Sequence, residues 1–340
     1  KRGIDENYSH YMPVPGYLDL RQAISEKFKR DNNLSYQPNQ IIVSTGAKQS
    51  IANIVLAIVN QGDDVIIPAP YWVSYADLVK FIGGNIVSPK AGLDQGFKIT
   101  PAQLEDSITK KTKLMIFSSP NNPSGAMYSE DELKSLVIVL KKHPQVWVIS
   151  DEIYEYISYG EKHVSMASFE GMKDRVATVN GLSKGFAMTG WRIGFMGAPE
   201  TLARACEKIQ SQFTSGASSI AQRAAIAAVL AGPEKVSYMV EDFTIRRKIL
   251  ANILNKAKYL NFIEPAGAFY LFVDASNYLN ENYKTASDLC MAILDGGVAS
   301  VPGEAFGLDG YIRFSYAASE ENLKKAGERI ITTLLSIKSN

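Results

Sequence analysis

Histidine and cysteine are scarce: 340 residues include three of the first and two of the second. That scarcity excludes several chemistries. His10, His143 and His163 lie far apart, none at ligand spacing from another or from a cysteine. No metal is therefore expected, neither structural nor catalytic zinc. Nothing marks any of the three as the base of a serine–histidine pair, so acid–base work falls to another residue type. Cys206 and Cys290 have no CxxC partner and read as small buried hydrophobes. Independence from disulfides suits a cytoplasmic protein. An excess of charge is missing too. The 36 basic and 35 acidic residues leave a net charge of +1 without a like-charge tract. The electrostatic footprint of a nucleic-acid partner is thus absent. No apolar run approaches the roughly 20 residues that span a bilayer, so no membrane association is expected. No signal-peptide pattern opens the sequence, and repeats and low-complexity tracts are absent.

What is present is a 46% hydrophobic chain, enough for a sizeable core. Strand-like and helix-like segments alternate along it. Gln40–Ser44, Asp64–Pro68, Lys113–Ser119, Val146–Ser150 and Arg175–Asn180 are short apolar runs with strand character. Between them lie helical patterns, one of which opens with Ser129 three residues before Glu132, a capping-box spacing. Near-continuous apolar strands alternating with helices predict an α/β fold with a mostly parallel sheet covered on both faces. From about Gly232 the texture changes. One long helix is expected from Pro233 to Leu260, followed by mixed strands and helices and a closing helix from Glu320. The division predicted is a large domain over 1–232 and a smaller α+β domain over 233–340.

Ligands of open α/β sheets sit at the carboxyl ends of the strands, so the residues that follow each strand matter most. Thr45–Lys48 is a glycine turn feeding a helix: an anion site at a helix N-terminus, or an ordinary helix entry. Tyr71 and Trp72 are a stacking wall for a planar ring, or core aromatics. Asn121 and Asn122 sit between Pro120 and Pro123 in a rigid turn that fixes an amide, or only turns. Asp151 closes a buried strand beside Glu152, as a helix cap or as a carboxylate facing a cationic ring nitrogen. The stretch NGLSKGFAMTGWRIG (Asn180–Gly194) has the texture of a buried segment, yet carries Lys184 and Arg192. Lys184 is a snorkelling lysine or, desolvated, an amine nucleophile. Arg192 is an ion-pair member or a phosphate ligand. Each residue has a bland reading. Together they describe a pyridoxal 5′-phosphate site: a phosphate cup, a stacking ring, an acid, a phenol and a lysine.

TGAKQ (Thr45–Gln49), PYWVSY (Pro70–Tyr75), SPNNPSG (Ser119–Gly125), SDEIY (Ser150–Tyr154), the Asn180–Gly194 stretch, GAFY (Gly267–Tyr270), VPGEAF (Val301–Phe306) and RFSYA (Arg313–Ala317) cover nearly the whole chain. In this order they resemble the fold-type I, class I aminotransferases, and within them the bacterial aspartate aminotransferase branch. The resemblance implies a seven-stranded sheet in the large domain. It implies that Lys184 forms the Schiff base with pyridoxal phosphate and shuttles the proton. Asp151 would pair with the ring nitrogen, and Tyr154 and Asn122 with the phenolic oxygen. Trp72 would stack on the ring beside the substrate. Gly46, Ala47, Ser183 and Arg192 would hold the phosphate. Lys48, next to them, would meet a substrate side-chain carboxylate. Arg313 with Asn122 would clamp the α-carboxylate. Tyr11 would reach the phosphate of a neighbouring subunit, which implies a homodimer with shared sites.

Two departures stand out. Gly181 occupies a position where some relatives place a phosphate-binding serine. Members of the family also carry a further segment before Tyr11 that covers the substrate pocket, so part of that pocket is expected to be missing from this sequence. The activity implied is transfer of an amino group between aspartate or glutamate and a 2-oxo acid. The same scaffold also serves aromatic, prephenate and kynurenine transaminases and C–S lyases. A ligand-sensing domain of a transcription regulator shares it too, although no DNA-binding helix-turn-helix or basic patch accompanies it here.

Overall fold

The structure, a computed structural model, describes residues 1–339. Among the described residues, ten strands form two sheets. The first comprises β1 (Ile41–Ser44), β2 (Asp64–Ile66), β3 (Asn85–Val87), β4 (Thr112–Ser118), β5 (Trp147–Asp151), β6 (Val176–Gly181) and β7 (Gly194–Gly197). Its spatial order is β1-β7-β6-β5-β4-β2-β3. Pairing is parallel from β3 through β6, and only β7 is reversed, antiparallel to both β1 and β6. This is the seven-stranded, mostly parallel sheet that the sequence motifs imply.

Alternation along the strands explains their apolar texture. Ile41, Val43, Met115, Phe117, Val148, Val176 and Phe195 face one helical layer, which includes Leu18–Asn32, Glu130–Lys142 and Ser219–Ala231. Ile42, Leu114, Ile116, Ile149, Ala177 and Met196 face the other, with Ala47–Ile58, Val73–Phe81 and Glu200–Phe213. Both faces are buried, so both sets must be hydrophobic. Helix starts follow local chemistry. Ser129 accepts from the Glu132 N–H while the Glu132 carboxylate accepts from the Ser129 N–H.

The second sheet joins β8 (Tyr270–Asp274), β9 (Val301–Pro302) and β10 (Tyr311–Ser315) antiparallel, in the order β8-β10-β9. Leu271, Val273, Ile312 and Phe314 pack with Leu250, Leu289, Ile293, Ile330 and Leu334 into a core of their own.

Two expectations need correction. Residues 233–260 are not one helix. Pro233–Val236 is a 3-10 turn, the helix proper is Ser237–Leu254, and beyond it the bonding tightens. The N–H groups of Lys256 and Ala257 reach carbonyls three residues back. Leu254, Ala257 and Leu260 all enter the core, and a spacing of three fits that tighter winding rather than a 3.6-residue turn. The second is β7, which the sequence reading passed over. Its four residues include two glycines and no alternation, and the pairing comes from neighbours on both sides.

Candidate active site

A cavity of about 370 Å³ lies at the carboxyl ends of the parallel strands. Ala47 and Lys48 enter it after β1, Trp72 and Tyr75 after β2, Ser118 at the end of β4 and Asn122 after it, Asp151 at the end of β5 and Tyr154 after it, and Ser183 and Lys184 after β6. Arg192 precedes β7, while Tyr270 and Arg313 arrive on the second sheet. Nearly every residue singled out in the sequence therefore meets in one place.

The spacing of Lys184 and Arg192 follows from topology. β6 and β7 are hairpin partners with Gly181 opposite Gly194, so the stretch between them is the hairpin's loop. The Leu182 N–H donates to Ile193 O at 3.1 Å and closes its base. One cation projects from each arm. The texture of this stretch misled in part: Thr189–Arg192 is exposed, with Trp191 at 45%. Arg192 adopts a left-handed backbone (φ 54°) and its Nη1 donates to Thr189 O at 2.9 Å. Gly46 (φ 84°) faces it so closely that any side chain would collide with the guanidinium. Gly181 is equally constrained, because a Cβ there would lie 2.8 Å from Ile193 O. A serine has no room in this backbone.

Asp151 is fully enclosed. Its Oδ2 accepts the Tyr75 hydroxyl at 2.6 Å and its Oδ1 the Ile153 N–H at 3.2 Å. Burial outweighs both donors and pushes the carboxyl up to about 6. Lys184 moves the other way. Burial, and then the positive charge of Arg313, lowers its pKa, with Asp151 opposing. Its Nζ lies 5.6 Å from the Tyr154 ring and 5.4 Å from that of Phe269. Arg313 Nη1 donates to Asn122 Oδ1 at 2.9 Å, and its guanidinium lies 4.5 Å from the Tyr270 ring. Its Nε is buried without a partner. Asn121 stays in the turn, accepting from Ser124 and donating to Pro70 O. Lys48 Nζ sits 4.9 Å over Trp72, which packs edge-on against Tyr75.

Two predicted site residues do not line the cavity: Gly46, which packs behind Arg192, and Tyr11. Tyr11 is 98% exposed. Conversely, Tyr75, Tyr270 and Thr189 line it and were missed. Tyr75 lies one helical turn after Trp72, a spacing that places both on one face. Tyr270 opens a strand whose partner carries Arg313.

Behind Asp151 lies a buried polar layer. Glu152 accepts from Ser150, Ser165 and Asn32 and pairs with His163 Nε2 at 2.9 Å. Glu155 pairs with Lys27 Nζ at 2.5 Å. Ligand atoms of Glu152, Glu155 and His163 lie within 4.8 Å of one another. The cations that these carboxylates need are already supplied by Lys27 and by His163, whose pKa Glu152 raises against the effect of burial.

Comparison with known proteins agrees with this architecture. A family model described as aminotransferase class I and II matches residues 1–330. The bifunctional aspartate aminotransferase and glutamate/aspartate-prephenate aminotransferase of Petunia hybrida is 47% identical over 98% of this chain and 72% of its own. An aspartate/prephenate aminotransferase of Cereibacter sphaeroides is 45% identical over 97% of this chain and 85% of its own. The crystal structure of the aspartate aminotransferase from Rhizobium meliloti superposes with a TM-score of 0.95 at 42% identity, covering 98% of this chain and 86% of that one. The chain belongs to the class I and II aminotransferase family and is an aminotransferase.

Proposed function

We propose that the cavity binds pyridoxal 5′-phosphate and that the enzyme moves the amino group of aspartate or glutamate to a 2-oxo acid. The observation that carries this reading is the convergence of Lys184, Asp151, Arg192 and Arg313 on one cavity. The residues fit the group. Asp151 has only two donors, and a cationic ring nitrogen facing it restores the charge that burial opposes. Ala47 opens the helix Ala47–Ile58, and with Ser183, Thr189 and Arg192 it makes a donor set suited to a phosphate. The unpartnered Arg313 Nε suits a carboxylate ligand.

When bound, the cofactor supplies the electron sink that lets an amino acid give up its Cα proton. Lys184 would hold it covalently, and its depressed pKa favours a neutral Nζ able to take up the substrate's Cα proton. Asp151 would keep the proton on the ring nitrogen, Tyr154 and Asn122 would serve the phenolic oxygen, and Trp72 would wall the ring. Arg313, oriented by Asn122 Oδ1, takes the α-carboxylate. Lys48 meets the side-chain carboxylate of a dicarboxylic substrate.

Two relatives carry prephenate beside aspartate in their names, which supports prephenate as an acceptor. A homodimer completes the reading. An apolar groove of about 460 Å³, lined by Leu56, Phe81 and Phe213, opens beside Lys48 and Arg192. Phe81 is 82% exposed and Phe213 70%. A second copy covering this groove brings its own Tyr11 to the phosphate. Residues 1–232 and 233–340 act as two units about the cavity. The free cysteines are buried, which suits a reducing cytoplasm. The test is Lys48→Ala: KM for aspartate rises roughly 10- to 100-fold, the size of one charged hydrogen bond, and KM for phenylalanine stays put. An unchanged aspartate rate sinks the dicarboxylate reading.

A further inference from the structure

The hydroxyls of Tyr154 and Tyr270 lie 2.9 Å apart inside the cavity wall. Burial raises both phenols well clear of neutrality, so each keeps its proton and one must donate to the other. The two come from distant parts of the chain. Tyr154 follows β5, and Tyr270 opens β8, where it pairs with Ser315 two residues from Arg313. The Tyr270 ring also faces the Arg313 guanidinium at 4.5 Å. A single side chain thus touches both the phenol that serves the cofactor and the arginine that serves the substrate carboxylate.

We propose that Tyr270 is a positioning residue: its hydroxyl donates to Tyr154, committing the Tyr154 proton to the cofactor's phenolic oxygen, while its ring supports Arg313. A phenol has one proton to give. If Tyr154 spent it on Tyr270, the phenolic oxygen would lose a donor. Donation by Tyr270 also polarises the Tyr154 hydroxyl and strengthens it as a donor. The second sheet, which delivers Arg313, thereby also sets the electronics at the cofactor.

This inference rests on the pyridoxal phosphate reading above, and the experiment separates the two. Besides Tyr270 itself, the charged or titratable groups lining the site are Tyr154, Lys184, Asp151, Arg192, Arg313, Lys48 and Tyr75, and Tyr270→Phe leaves all of them in place. A donor to the phenolic oxygen stabilises its anionic form and so lowers the pH at which the bound cofactor's visible absorbance titrates. In Tyr270→Phe holoenzyme that midpoint rises by about half a pH unit to one unit, the size of one neutral hydrogen bond. The expected kcat falls about 3- to 10-fold, with KM for aspartate changed less than twofold because the ring remains.

Tyr270→Leu removes the ring as well, and raises KM in addition. In a Tyr154→Phe background, Tyr270→Phe adds no further shift, because its effect passes through Tyr154. An unchanged midpoint in Tyr270→Phe, or a full shift that persists without the Tyr154 hydroxyl, overturns the proposal. A wild-type protein with no titrating visible band overturns the cofactor reading instead.

Discussion

At the scale of single residues, Asp151 sets the sharpest constraint. Burial raises its carboxyl from 3.8 to about 6, so the folded cofactor-free protein holds that proton more tightly than the unfolded chain. The sign follows: this group costs stability as pH rises from about 4 to 6, in all roughly 3 kcal/mol. Asp151→Asn removes the cost. The cofactor-free variant should melt above the wild type at pH 7, with the gain gone by pH 4, and should retain cofactor poorly. Melting curves of both cofactor-free proteins across that range check this, and a gain independent of pH contradicts it. Asp151 and Lys184 were legible because each is a charged residue at or in an apolar segment, whereas Arg313 was legible only through the resemblance carried by Arg313–Ala317. Tyr75 and Tyr270 were not, because a tyrosine in a hydrophobic run looks like core. Gly181 was legible as a departure but not as a necessity, since the carbonyl that excludes a side chain belongs to Ile193.

At the scale of elements, the helix Leu18–Asn32 braces the segment from Asp151 to Tyr156. Lys27 bonds Glu155 and Asn32, Asn32 reaches Glu152 and Glu155, and Tyr156 bonds Asp31. Lys27 is 2% exposed, so Lys27→Met leaves Glu155 buried without its cation. The expected loss is about 3–5 kcal/mol, and Lys27→Met/Glu155→Leu recovers most of it. Urea unfolding of the three proteins measures it, and a single variant as stable as wild type refutes the bracing role. Capping boxes and amphipathic periodicity made the helices readable. β7 and the end of the helix at Leu254 were hidden because long-range partners fix them: strands on both sides in one case, core positions three residues apart in the other.

At the scale of the molecule, the motifs run in chain order, yet the site is assembled across great separations. Arg313 meets Asn122 across 191 residues and Tyr270 meets Tyr154 across 116. Strand alternation predicts the sheet, but not which side chains of the second sheet meet those of the first. The exposed Phe81 and Phe213 line the groove through which the proposed dimer would form. Phe213→Asp should turn the proposed dimer into a monomer and weaken cofactor binding at the same time. Analytical ultracentrifugation with cofactor titration tests both. A monomeric wild type, or a dimeric variant, contradicts the shared-site arrangement.

Lys184 is the proposed anchor of the cofactor. Borohydride reduction of the holoenzyme, followed by peptide mass mapping, tests this directly. The prediction is one pyridoxyl-phosphate adduct on Lys184, lost when excess aspartate is added before reduction and absent from Lys184→Ala. An adduct on another lysine, or one on Lys184 that aspartate fails to remove, would contradict the account.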